Sequence, residues 1–226
     1  MSANRLSGKR ALVTSASSFM GPAIVELFEA EGATVVADES MLLEQNEASQ
    51  LIERCGHLDI VVTNLDVPAD RAKTPDIEEA AWQLAFDAMV HPLMRLVRAV
   101  SSQMIERGAG SIINMGSSSP MRRMSPQAVT YTTARGAQNS FVRSSGHELA
   151  KHGVRLNGIA QNFVANDTYY PPAVLENPRF QERLRFDVPA GRVGEPVETA
   201  ELAVFLASDQ SSFIYGQIIS QDGGWS

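Results

Sequence analysis

Six short β-branched runs, separated by amphipathic stretches, leave this chain few ways to fold. The runs are RALVT (10–14), ATVVA (33–37), DIVVTN (59–64), GSIINMGS (110–117), VRLNGIA (154–160) and QIISQD (217–222). Helical patterning fills the intervals at 21–31, 41–55, 76–107, 127–152 and 195–208. Strands that read as continuous apolar runs are buried on both faces, as in a parallel sheet covered by helices. The expected architecture is therefore α/β: a Rossmann-like, doubly wound parallel sheet with helices on both faces. Ligands of such sheets sit beyond the carboxyl ends of the strands. With 226 residues, 44% of them apolar, and no repeat or linker, residues 1–226 read as a single domain.

One interval is short. Only 21 positions separate Asp38, at the end of the second run, from Asp59, which opens the third. That accommodates one crossover helix, but not a helix, a strand and a second helix. Six strands are expected, with one edge strand missing on the side where a dinucleotide's adenine half would lie. The alternative is a short strand hidden within 38–58.

Charge and composition narrow the partners. A net charge of −7, from 19 basic and 26 acidic residues, argues against nucleic acid or an acidic membrane surface. No apolar run approaches the roughly 18–20 residues needed to cross a bilayer, and MSANRLSGKR lacks the apolar core of a secretory signal. The single cysteine, Cys55, excludes an internal disulfide, and four scattered histidines give no metal pattern. A cytoplasmic protein without a metal is expected.

The stretch TSASSFMG (14–21) follows the first strand and opens the first helix. That is where a dinucleotide loop places glycines, so that its backbone can approach the pyrophosphate. Here Gly21 is the loop's one glycine. Further along, Ser118 lies just past a strand, Tyr131 thirteen positions later, and Arg135 four beyond that. Positions i and i+4 share a helix face, which brings the Tyr131 phenol and the Arg135 guanidinium together.

Tyr-x-x-x-basic with an upstream serine resembles the active site of the short-chain dehydrogenases/reductases. The block GRVGEPVETAELAVFLASDQSSFIYGQIISQDGG resembles that superfamily too, and the strand pattern agrees from about residue 8 onward. The departures are specific. Arg135 stands for the catalytic lysine, Ser15 and Phe19 for the first two loop glycines, and Asn64-Leu65-Asp66 for Asn-Ala-Gly. The asparagine on the following helix is absent. Thr14-x4-Phe19-x-Gly21 and Ser118-x12-Tyr131-x3-Arg135 together resemble the halohydrin dehalogenases, cofactor-independent relatives of the reductases.

That resemblance implies conversion of vicinal halo-alcohols to epoxides, with release of halide and a proton and no cofactor. It implies the reverse opening of epoxides by cyanide, azide, nitrite or halide as well. Ser118 would position the substrate oxygen and Tyr131 would act as general base or acid. Arg135 would lower the Tyr131 pKa, by about three units if it acted alone at 4 Å. The halide and substrate pocket would be lined by Phe19, Asn162, Phe163, Val164 and Tyr170, with Gln161 where the family often has proline. A homotetramer paired through the helices at 76–107 and 127–152 is implied. Asp38 reads as a solvated strand-end carboxylate, and Asp66 either orients Arg135 or caps its loop. Met121 and Met124 lie where substrate would bind but read as packing, and Arg122 and Arg123 as solvated. His91 and His147 read as surface or core residues, and Trp225 as a frayed end or a wall of a neighbouring subunit's pocket. A divergent NAD(P)-dependent reductase and a non-catalytic, ligand-sensing relative are the rival readings.

Overall fold

The computed structural model describes residues 4–67, 71–122 and 127–226. Its sheet comprises six parallel strands: β1 (Arg10–Thr14), β2 (Thr34–Asp38), β3 (Ile60–Thr63), β4 (Gly110–Ser117), β5 (Val154–Gln161) and β6 (Ile218–Gln221). Their spatial order is β2-β1-β3-β4-β5-β6. β3 is buried at every residue, whereas the edge strands β2 and β6 are partly exposed. The continuous apolar pattern is therefore clearest in the centre of the sheet, as burial on both faces requires.

Among the described residues there are seven helices: α1 (Gly21–Ala30), α2 (Glu47–Cys55), α3 (Glu79–Arg107), α4 (Val129–Ala150), α5 (Pro172–Leu175), α6 (Pro178–Asp187) and α7 (Pro196–Ala207). Ile24 and Phe28 of α1 and Ala203 and Val204 of α7 pack with Val13, Val62 and Ile113 on one face of the sheet. Leu51 of α2, Leu96 and Val100 of α3 and Val142 of α4 pack with Leu12, Val61 and Ile112 on the other. The doubly wound, single-domain architecture follows.

The short interval after β2 holds α2 and no strand, so β2 is the outermost strand on that side. Residues 39–46 form a loop, with Leu42 buried beneath it against the α2 core. The Asp38 carboxylate is not simply solvated: it accepts from the Ser40 amide at 3.0 Å and the Ser40 hydroxyl at 2.9 Å. It is thus occupied in holding the turn that leaves the sheet.

The order of strand addition reverses between β1 and β3, which places the carboxyl ends of β1, β3, β4 and β5 around one crevice. At the far end of the fold, the buried Arg155 donates to the carbonyls of Ala207 and Ser208 at 3.1 and 3.2 Å. It satisfies the free carbonyls at the C-terminus of α7.

Candidate active site

The loop after β1 keeps the backbone shape of a glycine loop without the glycines. Ser15 has φ 43° and Phe19 has φ 51°, the left-handed region in which non-glycine residues cost about 1–3 kcal/mol. Asn64 holds that shape, donating from Nδ2 to the Ser15 and Ser18 carbonyls at 2.9 Å each. Gly21 is obligatory, since a Cβ there would lie 2.4 Å from the Ser15 carbonyl oxygen. The Phe19 ring points into the crevice and stacks on Tyr169 at 6.3 Å between centroids.

Tyr131 and Arg135 share one face of α4, with the guanidinium carbon 5.2 Å from the centre of the Tyr131 ring. Arg135 is 3% exposed and held on several sides. Its NH1 donates to the carbonyls of Leu65 and Met115 at 3.0 Å and to Gln138 Oε1 at 2.9 Å. Its NH2 lies 2.8 Å from the Asp66 carboxylate. Gln138, fully buried, passes the connection on to the Met89 carbonyl of α3 at 2.8 Å. Asp66 therefore does both things: Oδ2 orients Arg135, and Oδ1 accepts the Val67 amide at 2.7 Å and caps its own loop.

The electrostatic expectation for Tyr131 needs correction. Arg135 does favour the phenolate, but burial outweighs it, and the adjacent Asp66 carboxylate adds a like charge. The net result is a Tyr131 phenol pushed above its ordinary value of about 10. Burial likewise pushes the Asp66 carboxyl up, against the pull of Arg135.

The serine that the spacing selects is not the one that lines the crevice. Ser118 is fully buried, its hydroxyl has no partner among the described residues, and it does not line the crevice. Ser117, the last residue of β4, lines it, faces the Tyr131 phenol and favours its ionised form. The strand ends at Ser117, and Ser118 already turns away in helical backbone (φ −78°, ψ −3°), so one residue separates the crevice from the interior. The thirteen-residue spacing is counted along the chain and does not fix which serine meets the tyrosine.

The crevice has a volume of about 540 Å³. Phe19, Asn162, Phe163, Val164 and Tyr170 all line it, together with Tyr131, Arg135, Gln161 and Trp225. β5 runs on through Gln161, paired with Gln221 of β6, so the strand continues where the family often breaks it with proline. Asn162 Oδ1 accepts from the Phe163 amide at 2.9 Å and the Tyr170 hydroxyl at 3.0 Å. Phe163 itself has φ 52° and lies 5.6 Å from the Tyr170 ring and 6.1 Å from the Trp225 ring.

Trp225 is 7% exposed and belongs to its own chain's pocket. Asp222 fixes it by accepting the amides of Gly224, Trp225 and Ser226 at 3.1 Å each. Arg122 lies over its ring at 5.2 Å and donates to its carbonyl, so Arg122 is a clamp rather than a solvated cation. Met121 is exposed and apart from the crevice, while Arg123 and Met124 fall outside the described residues. His91 pairs with Asp87 at 2.8 Å, and His147 is exposed; neither lines the crevice.

Tyr169 is the residue that sequence reasoning missed. Its hydroxyl donates to the Val67 carbonyl at 2.6 Å and to Asp66 at 3.2 Å, and its ring lies 6.2 Å from Tyr131. It ties the loop after β5 to the loop after β3. The YY pair in the sequence offered a signal, but nothing in its spacing said which tyrosine would cross the crevice. Among the described residues no group of three or more histidine, cysteine or acidic side chains is placed to hold a metal, and no helix is long and apolar enough to cross a membrane.

A crevice at the carboxyl edge of a parallel sheet, with serine, tyrosine and a cation converging, defines a class of α/β enzyme site. A family model described as enoyl-(acyl carrier protein) reductase matches residues 43–226. A 3-oxoacyl-(acyl-carrier-protein) reductase of Vibrio harveyi is 32% identical over 244 residues, covering 97% of this chain and 98% of its own. A galactitol 2-dehydrogenase of Cereibacter sphaeroides is 30% identical, covering 98% and 96%. Among solved structures, one called a dehalogenation enzyme superposes with a TM-score of 0.89 at 28% identity, covering 98% of this chain and 99% of its own. A gluconate 5-dehydrogenase of Burkholderia cenocepacia, in complex with NADP and tartrate, gives 0.88 at 26% identity, covering 98% and 96%. The chain belongs to the short-chain dehydrogenase/reductase superfamily.

Proposed function

We propose that this protein is a cofactor-independent halohydrin dehalogenase, a carbon–halide lyase that closes vicinal halo-alcohols to epoxides. The observation that carries the reading is Phe19, whose ring stacks on Tyr169 in front of Tyr131 from a backbone position shaped for glycine. A dinucleotide needs that space for its pyrophosphate and nicotinamide, so these residues do not fit one. The likeness to the protein called a dehalogenation enzyme supports the same reading.

On this reading the Ser117 hydroxyl holds the substrate oxygen and the Tyr131 phenolate removes its proton. The alkoxide attacks the neighbouring carbon from behind, and the carbon–halogen bond breaks with its electron pair going to halide. The proton then passes from Tyr131 to solvent. Arg135 offsets part of the cost of the buried phenolate. The halide rests against Phe19, Phe163, Val164 and Tyr170. Asn162 lines the crevice with Oδ1 engaged by Tyr170 and Phe163, and its amide N–H groups are the donors it would offer the anion. In reverse, protonated Tyr131 activates an epoxide while halide, cyanide, azide or nitrite attacks carbon. The reading carries with it a cytoplasmic homotetramer paired through α3 and α4.

The experiment is a halide-release assay on small chloro- and bromo-alcohols with no nicotinamide present. Release is expected, and NADPH should bind too weakly to quench Trp225 or Trp82 fluorescence. The second reading, a divergent NAD(P)-dependent reductase, is favoured by the oxidoreductase names of the curated relatives. Saturable NADPH binding without halide release would establish it.

Ser117→Ala is expected to lower kcat/KM about tenfold, the loss of one hydrogen bond to the substrate oxygen. Ser118→Ala should stay within about twofold, since its hydroxyl bonds nothing. The opposite ranking would return the role to Ser118.

A further inference from the structure

The crevice differs in sign from the molecule around it. The chain carries −7 overall, yet among the described residues three arginines line the crevice, Arg71, Arg135 and Arg183, against one carboxylate, Asp66. Asp66 is paired with Arg135 deep inside. Arg71 and Arg183 lie at the exposed mouth, one from the segment after β3 and one from α6. Arg183 is held through Nε by Asp187 at 3.0 Å, on the next turn of its own helix. Both guanidiniums act on the Tyr170 phenol, and so does Tyr131 from the inner side. Tyr170 lines the same crevice as Tyr131, Arg71 and Arg183, with the rings of Phe163 and Phe180 beside it at 5.6 and 5.7 Å.

The geometry points to a substrate that is itself an anion: a short halo-hydroxy carboxylate, or the matching epoxy carboxylate, whose acid group is taken by Arg71 at the mouth. This rests on the dehalogenase reading and adds the substrate class to it. Arg71 lines the same crevice as Tyr131 and Tyr170, so a molecule whose hydroxyl sits at Tyr131 and whose chain runs past Tyr170 would have its far end taken by Arg71. A guanidinium matches a carboxylate with two parallel N–H donors. The sign of the mouth also concentrates anions from solution, an effect that salt screens.

The test compares 4-chloro-3-hydroxybutanoate with its ethyl ester in the full-length enzyme. The acid should show the lower KM, and added salt should raise its KM selectively. Arg71→Gln should raise the KM for the acid about fivefold, as for one exposed charge pair, and leave the ester within twofold. Equal KM for acid and ester, or an equal effect of Arg71→Gln on both, would overturn the proposal. Binding gives a readout that needs no turnover. In a Trp82→Phe background, 3-hydroxybutanoate should quench Trp225 fluorescence more tightly than its methyl ester, and Arg71→Gln should remove that preference. Absence of halide release from either substrate, with the binding preference intact, refutes the dehalogenase reading while leaving the anion site standing. Quenching that does not distinguish acid from ester refutes the anion site.

Discussion

Arg135→Ala should abolish halide release, by at least about 10³-fold, and destabilise the fold by about 3–5 kcal/mol. Two separate losses add up here. Catalysis loses the cation over the Tyr131 ring, so the phenolate must form in a buried site with only Ser117 to favour it. Folding loses a group that satisfies the Leu65 and Met115 carbonyls and Gln138, and Asp66 is left as a buried carboxylate without its partner at 2.8 Å. From sequence alone Arg135 looks removable without harm to the fold, because helix spacing shows its approach to Tyr131 and hides its three acceptors. The two effects separate with Arg135→Lys. Lysine keeps the charge but not the planar fork, so most of the stability should return with only part of the activity. Chemical denaturation and halide release on the same preparations check both. Wild-type turnover by a folded alanine variant would remove Arg135 from the mechanism.

The sheet could be read from sequence because burial on both faces makes its central strands continuously apolar: β1 and β4 fall where RALVT and GSIINMGS place them. The missing edge strand followed from chain length alone. What escaped depends on tertiary packing. α5 and α6 were not expected, since PAVL and PRFQERLRFD carry little apolar periodicity of their own and are organised around the Phe163, Phe180 and Trp225 rings. Helix starts were placed early, α2 at 41 rather than Glu47, because the buried Leu42 is apolar without being helical. In the site, Tyr131, Arg135 and the five pocket residues meet in one crevice. Ser117 lines the crevice where the spacing selects Ser118, and the Tyr169 bridge had no local signature. Phe19 is the instructive position: its identity suggested that cofactor space had been filled, and its positive φ shows a glycine-type turn preserved beneath the substitution.

Ring closure should rise about tenfold per pH unit from pH 7 to beyond 10, while epoxide opening stays flat over that range. The sign follows from Tyr131. Its phenol is pushed above 10 because burial exceeds the pull of Arg135 and Asp66 opposes that pull. The base form needed for closure is therefore scarce at neutral pH and grows with each unit, whereas the acid form needed for opening is saturated throughout. A closure plateau near pH 7–8 would mean that Arg135 wins after all. Asp66→Asn tests the cause. It removes the like charge and the ion pair that occupies Arg135, so the rising limb should move toward acid. The stability loss should be smaller than for Arg135→Ala, because Arg135 retains the Leu65, Met115 and Gln138 acceptors. A limb that stays in place while the rate falls at every pH would assign Asp66 to carrying the proton instead of setting the charge. A carboxylate that weakens its own enzyme's base at neutral pH makes sense where both directions matter. Burial, with Asp66 adding to it, keeps Tyr131 protonated; on the dehalogenase reading it would then be ready to open an epoxide, and closure would be driven by the departure of halide.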